Sequence, residues 1–165
     1  GDTASYAYPY YNDLIKKVRP DIIIHTGDLA DEVKAGRIPT AKAEYQENVK
    51  KISQIFKNSN AEKIYIVPGN NDITEIIEKE MPFATIVPHD TQITISGITC
   101  ILTHSCPETS NKSSWFFYGH GFTGDTHKPE DNNLNGTCYF NAMWGPKVFL
   151  LSEKKVFSFI RPESV

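Results

Sequence analysis

Cysteine is scarce in this chain. Cys100, Cys106 and Cys138 make an odd set of three with no C-x-x-C pair among 165 residues. That count offers no disulfide framework and no cysteine-based metal knuckle, and it fits a reducing compartment. Long apolar runs are missing as well. None approaches the roughly 18 residues that a membrane-spanning helix requires, and no signal-peptide pattern opens the sequence. A cytoplasmic protein is therefore expected, and the N-x-S/T matches at Asn111 and Asn135 read as chance. Positive charge is also in deficit, with 17 Lys and Arg against 20 Asp and Glu, a net charge of −3 and a pI near 6.0. Such a chain has no basic field for nucleic acid or for an anionic membrane surface. Repeats and linkers are absent too. What remains is ordinary globular composition, 39% hydrophobic and 22% charged, at a length that suits one domain with a real core.

Residues 21–31, Asp-Ile-Ile-Ile-His-Thr-Gly-Asp-Leu-Ala-Asp, organise the rest. A β-branched apolar run between polar residues predicts a strand buried on both faces. Gly27 lets the chain turn sharply, which sets Asp28 at the strand's carboxyl end with Asp31 three residues on. A capped strand-to-helix turn would explain this stretch taken alone. The pattern recurs, however. Residues 63–67 form a second such strand, stopped by Pro68-Gly69 and followed by Asn70-Asn71-Asp72. Helical spacing marks Tyr11, Leu14, Ile15 and Val18 before the first strand, ended by Arg19-Pro20. It marks Tyr45, Val49, Ile52 and Phe56 between the two, in a helix starting at Pro39-Thr40 and closed by Asn58-Ser59-Asn60. A short helix over 74–80 stops before Pro82.

From Phe83 the texture changes to closely spaced strands. Residues 84–87, 91–96 and 98–103 read as strands, the last two joined at Gly97, and the third ends in His104-Ser105. The aromatic strand Trp115-Phe116-Phe117-Tyr118 ends in Gly119-His120-Gly121. Residues 137–140, 147–151 and 155–160 complete the set, the last two a hairpin across Ser152-Glu153. Polar loops lie at 106–114 and 125–135. An α/β front half and a β-rich back half imply two facing sheets with helices outside.

Four strands thus end in a residue able to bind metal: Asp28, Asn70, His104 and His120. Oxygen and imidazole donors together suit a borderline divalent ion such as Mn, Fe or Zn better than Mg or Ca. A lone histidine after a strand is more often a satisfied core or loop residue, and Asn70-Asn71 alone is a plain turn. Four such strand ends in one small chain point to a shared site.

In this order, Gly27-Asp28-x-x-Asp31, Gly69-Asn70-Asn71-Asp72, Thr103-His104 and Tyr118-Gly119-His120 resemble the motif series of the calcineurin-like metallophosphoesterases. The wording is closest to the small phosphodiesterases of bacteria and archaea. The resemblance spans nearly the whole chain and implies a four-layer α/β/β/α sandwich of two mixed sheets with a two-metal site at the strand ends. It also implies that Asp28 bridges both metals and that Asn70, His104 and His120 complete one coordination sphere. Two ions about 3.5–4 Å apart would clamp a phosphate and lower the pKa of a bound water. The cofactor expected is Mn, with Zn or Fe as alternatives, in one or two ions.

The sequence departs from that pattern at three places. The second metal should take an opening D-x-H and the second histidine of G-H-x-H. Asp2 is present, but Ala4 and Phe122 stand where the two histidines should be, and His127 is the candidate substitute. Asn71 occupies the position at which phosphatase members carry a histidine. An asparagine can hydrogen-bond to a phosphoryl oxygen but cannot act as a general acid. Asn71 and Asp72 are the candidate catalytic residues, with Asp72 and Asp31 resembling carboxylates that orient ligands. His25 is expected on its strand as a supporting or core group, and His89 on a loop. Finally, Asp2 should follow a strand at the sheet's centre, and Gly1-Asp2-Thr3 opens without one, so a truncated start or another element in that slot is expected. Two readings result. One is a metal-dependent phosphoesterase acting on a small phosphodiester or monoester. The other is a non-catalytic binding or scaffold protein that has lost one metal site, as in the phosphoesterase-like subunit of the retromer coat. Tyr6, Tyr8, Tyr10 and Tyr11 could then meet a protein partner or a second copy. A nuclease role ranks behind both, because nothing basic interleaves with those aromatics.

Overall fold

The computed structural model describes residues 1–107, 114–121 and 136–162. The triple isoleucine run forms β1 (Ile22–His25). It pairs in parallel with β2 (Lys63–Ile66), Ile23 opposite Ile64 and His25 opposite Ile66, and β2 pairs in parallel with β3 (Thr85–Ile86). Parallel strands need crossovers. These are α2 (Lys42–Lys57) between β1 and β2, and α3 (Thr74–Glu80) between β2 and β3. Ahead of β1, α1 (Tyr8–Val18) begins three residues earlier than the apolar spacing predicts. Pro9 falls in its first turn, where an amide hydrogen has no helical partner anyway. The helix ends at Arg19, which is left-handed at φ 48° and donates its N–H to the Ile15 carbonyl. In α2 the reverse holds: Pro39–Ala41 form a separate 3-10 turn and the α-helix starts at Lys42.

A second sheet runs in the order β4 (Thr91–Ile95), β5 (Ile98–Leu102), β6 (Trp115–Tyr118), β7 (Cys138–Asn141). The β4–β5 hairpin turns on Ser96 and Gly97, both at positive φ (48° and 79°), which matches the right-handed strand twist. β5, β6 and β7 are parallel. β8 (Lys147–Leu150) and β9 (Lys155–Ser158) form the expected terminal hairpin. Several strands are a residue or two shorter than the sequence suggests, although Val87 still donates its N–H to the Ile66 carbonyl one step beyond β3.

Two hydrophobic clusters follow from this arrangement. One joins all three helices to β1 and β2 through Tyr8, Tyr45, Val49, Ile52, Phe56, Ile64, Ile66 and Ile77. The other lies between the two sheets, where Ile24, Tyr65 and Val67 meet Cys100, Leu102, Trp115, Phe117 and Phe140. The alternation of Ile23 and Ile64 to one cluster, and of Ile24 and Tyr65 to the other, is the period-2 rule for a strand covered on both faces. The architecture is mixed α/β with sheets facing each other. The described residues contain no helix longer than the 16-residue α2, and none is long and apolar enough to cross a membrane.

Beside β1, on the side not taken by β2, an apolar cavity of about 570 Å³ is lined among others by Leu14, Ile22, Ile24, Phe56, Trp115 and Phe149. Residues 1–3 run past the end of that edge. Their backbone is fixed there, because Asp2 and Thr3 donate to the carbonyls of Gly27 and Asp28 (3.0 and 2.8 Å) and the Asp31 N–H donates to the Thr3 carbonyl. Asp2 therefore has support from the β1 turn itself.

Candidate metal centre

The β1 turn is built on two successive left-handed residues, Gly27 at φ 95° and Asp28 at φ 55°. This reverses the chain within two residues and leaves the Asp28 carboxylate fully buried. A methyl on Gly27 would sit 2.6 Å from the Gly69 nitrogen and from His104 Nδ1, so the β1 and β2 turns touch through bare backbone. Asp72 fastens them together. Its Oδ2 accepts the N–H groups of Asp28 (2.7 Å) and Gly69 (2.8 Å), and its Oδ1 accepts the Leu29 N–H (2.9 Å) and the Tyr45 hydroxyl (2.8 Å). Burial raises the pKa of this carboxyl, while hydrogen bonds from Gly69, Leu29 and Tyr45 draw it back.

From the second sheet, β5 runs on through Thr103-His104 and β6 through Gly119-His120. The two extensions stay paired: Gly119 and His120 both donate to the His104 carbonyl, and Ser105 bridges to His120. His104 and His120 therefore lie side by side, ring centroids 4.9 Å apart. Facing them across the interface between the sheets are Asp2 and Asp28. His104 Nε2 is 3.7 Å from Asp28 Oδ2, and His120 Nδ1 is 3.4 Å from Asp2 Oδ2. One ligand atom from each of these four residues lies within 4.8 Å of all the others. Asn70 joins them, its Oδ1 3.0 Å from His104 Nε2.

The donor set fits a divalent cation on its own chemistry. His104 Nδ1 is 2.7 Å from the Thr26 carbonyl, an acceptor, so Nδ1 carries the proton and a neutral ring presents a lone pair at Nε2. That lone pair points among oxygens of Asn70 and Asp28, which are acceptors too; a cation satisfies all three at once. Asp2 Oδ1 is likewise buried with no hydrogen-bond partner among the described residues. Burial, and after it the charge of Asp28, raises the Asp2 pKa. A bound dication would reverse that shift.

The other residues singled out in the sequence occupy distinct places. Asp31 Oδ1 accepts from Lys34 Nζ and from Asn71 Nδ2, outside the group of four. Ala4 is buried and offers no ligand atom. Phe122 and His127 lie outside the described residues, as does most of the two polar loops. Of the four tyrosines, Tyr8 is a core residue whose hydroxyl donates to the Leu29 carbonyl (2.6 Å), and Tyr6 is exposed. Sequence reasoning missed three neighbours. Arg161 Nη1 donates to the Asp2 carbonyl, the Tyr45 hydroxyl reaches Asp72, and the exposed His89 sets its ring edge-on to His104 at 6.1 Å. None has a local signal, since each arrives from a distant element.

His25 supports the site from behind. Its Nδ1 accepts the Gly27 N–H (3.2 Å), which places the proton on Nε2, 2.9 Å from Thr3 Oγ1. Burial holds its pKa well below the ordinary 6.5, helped by the nearby N-terminal amine and His104. A histidine kept neutral in the fold takes up a proton on unfolding below pH 6.5, so its contribution is complete above that pH and falls as the pH drops. In metal-free protein, urea melts at pH 7.5 and 5.5 should show the native chain losing about 1.4 kcal/mol more than His25→Gln over that interval. Equal losses would place the titration elsewhere.

No curated protein matches the chain in sequence. The family model for the calcineurin-like phosphoesterase superfamily domain matches it over residues 7–143, a span that contains Asp28, Asn70, His104 and His120. A sheet-to-sheet cluster of carboxylate and imidazole at strand ends is the kind of centre on which metal-dependent phosphoester hydrolysis relies. By that match and that geometry, the chain belongs to the calcineurin-like phosphoesterase superfamily.

Proposed function

We propose that this protein hydrolyses a small phosphate ester, a phosphodiester in preference to a monoester, with one or two divalent ions held by Asp2, Asp28, Asn70, His104 and His120. The observation that carries the reading is the convergence of four ligand atoms, from four separate segments of the chain, within 4.8 Å. Mn is the ion we favour, ahead of Zn or Fe, because the donors mix carboxylate, amide oxygen and imidazole. When bound, the ion supplies positive charge that polarises a phosphoryl oxygen and lowers the pKa of a water at the site.

The chain's own residues set the geometry for this. The Thr26 carbonyl holds the His104 Nδ1 hydrogen, which orients the ring with Nε2 as the atom turned to the ion. Asp28 and Asp2 bring two carboxylates together and balance a dication. Diester preference draws on Asn71, an asparagine where phosphatase members carry a histidine, as in the phosphodiesterase-like members. An odd count of three cysteines with no C-x-x-C pair accords with a cytoplasmic setting. The second reading, a non-catalytic binding protein, draws on Ala4, a buried residue without a ligand atom where the family motif has a histidine.

Metal content decides between them. Protein purified without chelator and titrated with Mn²⁺ should hold one or two equivalents per chain, and it should cleave a phosphodiester such as bis(p-nitrophenyl) phosphate. Chelator should abolish the cleavage, and added Mn²⁺ should restore it. No uptake at excess Mn²⁺ would overturn the enzyme reading; uptake without cleavage of any phosphoester would favour the binding protein.

A further inference from the structure

Asn71 sits at the heart of the site, yet its hydrogen bonds lead inward. Its backbone N–H donates to Asp28 Oδ1 (2.9 Å) and its side-chain Nδ2 to Asp28 Oδ2 (2.8 Å), so each oxygen of that carboxylate already accepts one bond. The same Nδ2 donates to Asp31 Oδ1 at 3.1 Å. Both of its amide hydrogens are therefore committed to carboxylates. The remaining atom, Oδ1, is buried without a hydrogen-bond partner among the described residues, and the residue as a whole is 2% exposed. The Asn71 carbonyl is taken as well, by the Gly36 N–H at 3.0 Å. Gly36 approaches closely enough that a methyl there would lie 2.4 Å from the Asn70 carbonyl oxygen. The loop that carries Lys34 and Asp31 is thus clamped over the Asn70-Asn71 turn.

We propose that Asn71 is a positioning residue: it fixes the orientation of the Asp28 carboxylate and couples it to the Asp31–Lys34 pair, and it does not contact the substrate. Each Asp28 oxygen then keeps one lone pair for a cation, which is the arrangement a carboxylate needs to ligate through both oxygens. One nitrogen bearing two hydrogens is what allows two like-charged carboxylates to be held together. An imidazole, with its N–H groups on different nitrogens and diverging, could not bond both from one point. Asp31 is in turn neutralised by Lys34 Nζ. The three links form a line from the protein surface, where Lys34 is partly exposed, to the buried Asp28. This proposal rests on the metal-site reading above and assigns to Asn71 a role in ligand geometry where a hydrogen bond to a phosphoryl oxygen of the substrate would be the alternative.

The test begins with metal-free protein. Co²⁺, followed by its visible absorption, and Mn²⁺, followed by calorimetry, are titrated into the native chain and into Asn71→Ala. Loss of a group that orients a ligand typically weakens metal binding by about 10- to 100-fold. We expect a weakening of that size and an altered Co²⁺ spectrum. Under saturating metal, the residual turnover should fall by the same factor for phosphodiesters with p-nitrophenyl and with alkyl leaving groups. Affinity within twofold of native and an unchanged Co²⁺ spectrum, together with lost turnover under saturating metal, would overturn the proposal and make Asn71 a substrate-contacting residue. Should Asn71→Ala not fold, the native protein still answers. Its Asn71 side-chain amide protons, observed by NMR in ¹⁵N-labelled metal-free protein, should exchange slowly with water and should not move when inorganic phosphate is added. Fast exchange or a phosphate-induced shift would overturn the assignment. If the native chain takes up no metal at all, the phosphoesterase reading fails, while the amide exchange still decides whether Asn71 holds the two carboxylates.

Discussion

Asp72→Ala should destabilise the metal-free protein by about 3–5 kcal/mol, the largest single-residue effect we expect in this chain. Four donors converge on this one carboxylate, from Asp28, Leu29, Gly69 and Tyr45. Three are backbone N–H groups in turns too tight to rearrange, because Gly27 and Gly69 are already in contact. Truncation leaves those donors buried and unpaired, and it also opens a space between the β1 and β2 turns. The loss is therefore a desolvation penalty as well as lost bonding. Urea denaturation measures it as a shift in midpoint at constant slope. Tyr45→Phe, which removes one donor together with its need for a partner, should cost only about 1 kcal/mol. A change under 1 kcal/mol for Asp72→Ala would mean that the two turns are held by packing alone.

Asp28→Asn should act on function where Asp72→Ala acts on stability. The substitution keeps the size of the side chain and removes the one charge shared between the Asp2 side and the His104 side of the cluster. Several kcal/mol of ion binding and transition-state charge stabilisation depend on such a carboxylate, so Mn²⁺ affinity and phosphodiester turnover should each fall about 10³-fold. Stability should fall by less than in Asp72→Ala: the new NH2 faces one Asn71 donor that an Asp28 oxygen accepted, and relief of the repulsion that raises the Asp2 pKa offsets part of that cost. Metal titration, turnover and urea melts on one preparation separate the two effects. Native-like Mn²⁺ affinity in Asp28→Asn would remove Asp28 from the centre.

Much of this organisation is legible in residue order. A β-branched run closed by glycine and aspartate is a strand meeting a turn wherever it occurs, so β1, β2 and their carboxylate-bearing ends follow from local chemistry. The β4–β5 hairpin is equally local, since Ser96-Gly97 can adopt the positive φ its turn requires. Helix boundaries were less legible. Pro9 and Pro39 both resemble helix starts, yet one lies in the first turn of α1 and the other in a 3-10 turn before α2, since a proline in a first turn is compatible with either kind of helix.

Residue types and spacing alone thus mark Asp28, Asn70, His104 and His120 as cation donors at strand ends, and the family resemblance adds Asp2. Their use is another matter. That Asp72 clasps two turns, that Asn71 spends both amide hydrogens on Asp28 and Asp31, and that Arg161 reaches Asp2 across 159 positions of sequence are properties of the folded chain. The reason is the range of the forces. Backbone preference and hydrophobic period act over a few residues and are written into local order. A hydrogen bond between side chains exists only once separate turns are packed within about 3 Å of each other, and that packing is set by the two sheets together.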